Sequence, residues 1–139
     1  MLRAVLDTNV LVAALRSAHG ASFVILAALR AGRFKAIVSN PLCLEHLDVL
    51  SRPGVVPALD PPGAEAWLEG YLALCEPRKV SFLWRPFLRD ADDERVLEAA
   101  LAGNAEYLVT YNVADFSNAP EVGIRPVTPA SFLSILRIS

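Results

Sequence analysis

The residues best suited to chemistry are acids, and their placing is uneven. Asp7 follows an apolar run over residues 2–6 directly, and RDADDE (residues 89–94) packs four acids into five positions. Capping and the helix dipole favour one or two acids at a helix start. Four adjacent carboxylates exceed that need, because like charges at close range resist joint ionisation. A divalent cation with oxygen ligands relieves such repulsion. Within this run Asp93 is the first choice as a ligand. It stands three and four residues before Val96 and Leu97, at the inner edge of a first helical turn.

TYNVADF (residues 110–116) supplies a second polar group after an apolar stretch. Thr110 is placed to hydrogen-bond the Asp7 carboxylate, Asn112 to hold a water, and Asp115 to reach a metal through water. Asn9, two residues beyond Asp7, is placed to orient it through its amide. The plainer reading of Asp7 is a carboxylate that ties down the following turn, and of Asn112 an Asx turn. Glu45 alone reads as a surface charge and gains weight only if the other acids assemble beside it. Asp48, Asp60, Glu65, Glu69, Glu76, Glu98, Glu106 and Glu121 read as solvated charges.

These groups need elements to carry them. Residues 2–6, Ala36-Ile37-Val38, residues 80–83, Tyr107-Leu108-Val109 and residues 124–127 read as short strands. Residues 10–15 fit a strand or a helix. Ser22 can cap a helix that runs to about Ala31 and stops at Gly32. Ser39 or Asn40 caps a helix with Pro41 in its first turn, and this helix carries Glu45. The proline-rich stretch over residues 51–63 reads as a loop, and a third helix follows from Ala64 to Cys75. Asp90 or Asp92 opens a fourth, which ends at Gly103 and Asn104. Thr128 caps and Pro129 starts the last. Strands alternating with helices predict an α/β sandwich, with a central parallel sheet covered on both faces. In such sheets ligands gather beyond the carboxyl ends of the strands, where Asp7 and Thr110 stand.

Composition sets the frame. The chain has 139 residues, 54% hydrophobic and 20% charged, with a formal net charge of −2. A single folded domain over residues 1–139 is the expectation, and intrinsic disorder is disfavoured. The charge balance alone gives no basic footprint for nucleic acid. No apolar run reaches the roughly 18 residues of a membrane helix. The N-terminal run carries Asp7 and lacks a small-residue cleavage site, so a cytoplasmic location is expected rather than secretion. Cys43 and Cys75 show no metal-site spacing and read as core residues of a reduced protein.

Taken together, VLDTNVLVAAL, VSNPLCLEHLDVLSRP, RDADDERVLEAALAGNAEYLVTYNVADF and VTPASFL resemble the PIN domain family. More narrowly, they are similar to its bacterial members that act as toxins of toxin–antitoxin pairs. The resemblance spans nearly the whole chain. It implies a Rossmann-like three-layer sandwich and a ribonuclease dependent on one or two Mg²⁺ or Mn²⁺ ions. It puts the first catalytic acid on Asp7, with Asn9 beside it, the second on Glu45 and the third on Asp93. Asp90 matches a further frequent acid of the narrower group. The fourth segment departs from the pattern, since many members have Asp two residues after the Thr and this chain has Asn112. Asp115 then becomes the fourth acid. Asp7, Glu45, Asp93, Asp115 and Asp90 form the implied metal-binding set, with Asn9, Ser39, Thr110 and Asn112 orienting them. The implied partners are RNA, a cognate antitoxin protein and a second copy of the chain, with no membrane.

Arg16, Arg52, Arg85 and Arg89 lie near these segments and are the candidate phosphate contacts, together with His19. The helix bearing Trp67 and Tyr71 suits either a dimer interface or the core. Two other readings stay open. A PIN-like module could bind RNA or an antitoxin without cutting, given Asn112. A phosphotransferase of the haloacid-dehalogenase type also opens on a strand-end Asp. It would want a second Asp where Asn9 stands, and Lys79 as its lysine.

Overall fold

The structure is a computed structural model that describes residues 1–80 and 91–138, with the side chains of Ala91, Asp92 and Ile138 outside the description. Five parallel strands form one sheet in the order β3-β2-β1-β4-β5. They are β1 (Arg3–Leu6), β2 (Lys35–Val38), β3 (Glu76–Pro77), β4 (Tyr107–Val109) and β5 (Arg125–Val127). The helices are α1 (Thr8–Arg16), α2 (Ala21–Arg30), α3 (Asn40–Ser51), α4 (Pro61–Leu72), α5 (Ala91–Ala102) and α6 (Pro129–Ile138). The expected α/β sandwich with a central parallel sheet is the fold observed.

A parallel strand covered on both faces must be apolar throughout. β1 meets that demand: Ala4 and Leu6 enter one core and Val5 the other. The first core joins these strand residues to Val10, Leu11, Ile25, Leu29 and Phe132, from α1, α2 and α6. Phe34 and Phe132 meet there edge to face, with centroids 5.1 Å apart. The second core sets Val5, Ile37 and Leu108 against Leu42 of α3 and Val96, Leu97 and Ala100 of α5. Tyr71 is buried and Trp67 stacks on it at 5.7 Å, so this pair packs into the core.

Residues 10–15, whose pattern fits either element, are helical. Val10, Leu11 and Ala14 are buried at a spacing that only a helix turns to one side. Ser22 does not cap α2. Gly20 holds that position, and Ser22 lies within the first turn, buried. The proline-rich stretch is shorter than a loop over 51–63 would be, because α4 starts at Pro61. Asp60 Oδ1 accepts from Gly63 N at 2.8 Å, and two prolines fit a first turn whose N–H groups have no helical partner. Ser39 and Thr128 cap as expected, accepting from Leu42 N and Ser131 N respectively.

The strand beside β2 is β3 at Glu76–Pro77, pairing with Ile37 and Val38. Val80 is in no strand, and residues 81–83 of the strand expected over 80–83 lie outside the described residues. One expectation needs correction. Glu76 is no solvated charge: it joins Arg3, Lys35 at 3.6 Å and Arg78 at 2.8 Å. Hydrogen bonds from Arg78 first, then the charges of Arg3, Arg78 and Lys35, hold its carboxyl below the usual range.

α5 reaches the sheet through Gly103 at its C-terminal end. A Cβ there would stand 2.8 Å from Ile37 Cγ1 and closer still to Cγ2, while the Gly103 carbonyl accepts from Arg3 Nε at 2.9 Å. Gly103→Ala should therefore cost about 1–3 kcal/mol through overpacking, read as a lowered urea midpoint; an unchanged midpoint would refute the contact. Burial pushes the Cys75 thiol up to about 12, with Cys43 adding and the Tyr71 hydrogen bond opposing. In Cys43→Ser protein at pH 8, Cys75 should react with a disulfide reagent about 100-fold more slowly when native than in urea. Because the folded value is the higher, this thiol's contribution to stability is whole below its ordinary 9.0 and falls as pH rises toward about 12.

Candidate active site

Chain connections run outward from β1 to β2 on one side and reach β4 on the other, so the switch point lies between β1 and β4. A crevice at the carboxyl ends of such strands is the usual ligand position in this architecture. Asp7 stands there. Its N–H donates to Val109 O at 2.9 Å, continuing the β1–β4 pairing by one residue. Its carboxylate faces three donors: Oδ1 accepts from Thr8 N at 2.7 Å, and Oδ2 accepts from Thr110 Oγ1 at 2.8 Å and Asn9 Nδ2 at 3.3 Å. Asp7 thus ties down the start of α1, as the plainer reading held, and is also held in place from β4.

Thr110 is fully buried and central to the cluster. Its hydroxyl donates to Asp7 and accepts from Asn112 N at 3.0 Å and Asn9 Nδ2 at 3.3 Å. Asn9 turns its other end to Tyr111, whose N–H donates to Asn9 Oδ1 at 3.3 Å. Asp115 follows in the short 3-10 turn Val113–Phe116, exposed, its N–H donating to Asn112 O at 3.0 Å. Thr110, Asn9 and Asn112 therefore meet around Asp7 through their side chains or backbone.

Glu45 sits on α3, mostly buried, and its Oε2 accepts from Arg95 Nη1 of α5 at 3.0 Å. Sequence reasoning misses Arg95 because it closes an acid-rich run and reads as ordinary charge balance. Beside Glu45, His46 is fully buried, its Nδ1 2.7 Å from Thr8 Oγ1. Burial pushes this imidazole down to about 3, so it is neutral. Its Nε2 has no hydrogen-bond partner among the described residues. The only sequence signal for His46 is its place among the apolar positions of α3. Ser39 caps α3 and lines a cavity of about 740 Å³ together with Asn40, Cys43, Arg78 and Lys79. Asp93 lies three residues into α5, half-buried.

Asp90, Arg85 and Arg89 lie outside the described residues. Among the described residues, no three acidic, His or Cys side chains converge as a ready metal cage. Mg²⁺ is commonly held by one or two carboxylates together with water and substrate phosphate, not by an all-protein cage. Asp7, Glu45, Asp93 and Asp115 offer only oxygen, the donor type that Mg²⁺ and Mn²⁺ prefer. Arg16 donates from Nε to Val55 O at 2.6 Å, and Arg52 pairs with Asp48 at 2.5 Å.

A profile of the PIN domain family matches residues 3–114. Comparison with curated proteins gives no match. Among solved structures, a chain of VapBC2 from Rickettsia felis, bound to a DNA fragment from its promoter, is similar. It is 18% identical, the match covers 91% of this chain and 98% of that one, and the TM-score is 0.64. A chain of DNA-bound VapBC from Salmonella typhimurium is also 18% identical, with coverage of 93% and 99% and a TM-score of 0.63. At that identity the likeness speaks for the fold.

The Thr110 hydroxyl has one isosteric test. Thr110→Val keeps the volume and deletes both the donor to Asp7 and the acceptor for Asn112. It should cost about 1.5–3 kcal/mol, the range for a hydrogen bond to a charged group, while Thr110→Ser recovers most of the loss. Chemical denaturation checks this, and equal stability of all three proteins would remove Thr110 from the role given to it.

Proposed function

The chain belongs to the PIN domain family, and from that premise we propose that it is a metal-dependent endoribonuclease, the toxin of a toxin–antitoxin pair. The observation that carries the reading is Asp7. A carboxylate at the switch point of the sheet is held on both oxygens by neutral donors from α1 and from Thr110, just beyond β4. Such restraint keeps an anion in one orientation, as a cation ligand requires.

Asp7 and Asp93 are the residues that would hold the cation, with Glu45, Asp115 and Asp90 contributing. Mg²⁺ or Mn²⁺, when bound, supplies Lewis-acid chemistry: it offsets the charge of a phosphodiester and makes water a better nucleophile. The chain's own groups do the rest. Thr110 and Asn9 fix the Asp7 carboxylate, Asn112 orients the turn after β4, and Ser39 fixes the start of α3. Glu45 shares its Oε2 with Arg95, so its negative charge is already partly balanced. Attack by water needs no help from a 2′-hydroxyl and would leave a 5′-phosphate. Contacts from arginines to the phosphate backbone would add affinity without sequence preference.

The two similar structures are VapBC assemblies on DNA. They support a protein antitoxin as partner; a second copy of the chain is proposed beside it. A cytoplasmic location and a single domain over residues 1–139 complete the proposal. Asn112 and the Arg95 contact give the non-cutting module its remaining ground, and metal binding separates the two.

Purified protein should cleave single-stranded RNA with Mg²⁺ or Mn²⁺ and stop when EDTA is added. Asp7→Asn should fold, keep its circular dichroism spectrum, and lose cleavage by about 100-fold or more. Cleavage that survives in Asp7→Asn would exclude this site. Folded protein that neither cuts RNA nor takes up Mn²⁺ would leave the binding module.

A further inference from the structure

Tyr111 is the unexplained residue at this site. It directly follows the buried Thr110, yet it is 49% exposed. A surface tyrosine ordinarily turns its hydroxyl to water. Here the hydroxyl is turned inward, 2.6 Å from the Oγ of Ser22, which is itself only 1% exposed. The backbone is tied as well, since the Tyr111 N–H donates to Asn9 Oδ1, and Asn9 Nδ2 lies 3.3 Å from Asp7 Oδ2. The residue is thus anchored at its phenol end to α2 and at its backbone to the asparagine that contacts Asp7. An aromatic surface remains exposed between the two anchors.

We propose that Tyr111 is a stacking platform for a nucleobase of single-stranded RNA next to the phosphate engaged at Asp7. This inference rests on the nuclease reading and names how that site would hold its substrate. Three features favour a base. Every base has a π-face, so one ring can receive any of them, and unpaired bases are the ones available to stack. A ring already fixed at both ends loses little freedom on stacking, which keeps more of the contact as affinity. And Tyr111 is adjacent to Thr110, the residue that holds the Asp7 carboxylate. Phosphate contacts position a strand but cannot grip a base. A ring at this point adds that grip.

The test uses full-length Asp7→Asn protein, so that RNA is bound and not cut. A fluorescent single-stranded oligoribonucleotide is titrated by anisotropy, beside an abasic ribose-phosphate oligomer of the same length. Adding Tyr111→Ala should weaken binding of the base-bearing strand by roughly 5- to 100-fold, and leave the abasic strand unaffected. Tyr111→Trp should bind the base-bearing strand at least as well as Tyr. With Asp7 intact, Tyr111→Ala should raise KM for RNA and leave kcat within about twofold. Equal affinity for the base-bearing strand with and without the Tyr111→Ala substitution overturns the proposal. So does an equal loss on both strands, which would mark a structural role. RNA that is cut by the wild type, with no effect of Tyr111→Ala, removes this inference and leaves the nuclease reading standing. Folded wild type that neither binds nor cuts single-stranded RNA removes both.

Discussion

Asp7 and Thr110 are 103 residues apart in the chain, and their side-chain oxygens are 2.8 Å apart. That bond depends on the pairing of β1 with β4, where Leu6 faces Val109 and the Asp7 N–H extends the ladder. A slip of one residue would turn every side chain of β4 to the other face. Asp7 would lose its donor, and Leu108 and Val109 would exchange cores. Core packing and site geometry therefore select the same register. The division of β1 and β4 side chains between two cores is what aligns a polar pair that contributes little to the core itself.

The second constraint is between helices. Glu45 and Arg95 join α3 to α5 across the second core. Both are partly shielded, and a carboxylate so placed needs a positive partner. A cation added nearby would share Glu45 with the guanidinium. Arg95 is thus part of the site's electrostatics, although it is no acid and holds no metal. His46 lies behind Glu45, neutral and bonded to Thr8, so α3 touches the start of α1 with an uncharged group.

The alternation of apolar runs reveals the parallel sheet, and the position of Asp7 after β1 points to the site. The cluster of Asp7, Asn9 and Thr110 is readable because each lies just beyond a strand, where periodicity fixes direction. Other features are hidden for physical reasons. β3 has two residues, too short for any period to show it. Asp60 and two prolines open α4 inside a stretch whose composition reads as loop. The helix of residues 8–16 follows a strand with no break, because Asp7 ends one and caps the other. Arg95, His46 and Tyr111 draw their importance from partners 38 to 102 residues away, and no local pattern carries such distances.

The order of the strands also has a consequence in time. β1 precedes the other strands and lies at the centre of the sheet, yet its neighbour β4 comes only after helices α1 to α5 have been synthesised. Until Thr110 leaves the ribosome, Asp7 has neither the Val109 carbonyl nor the Thr110 hydroxyl beside it. Long-range parallel pairing is slow for the same reason, since the loop must close before its contacts count. A nascent chain therefore carries an incomplete Asp7 cluster through most of its own translation.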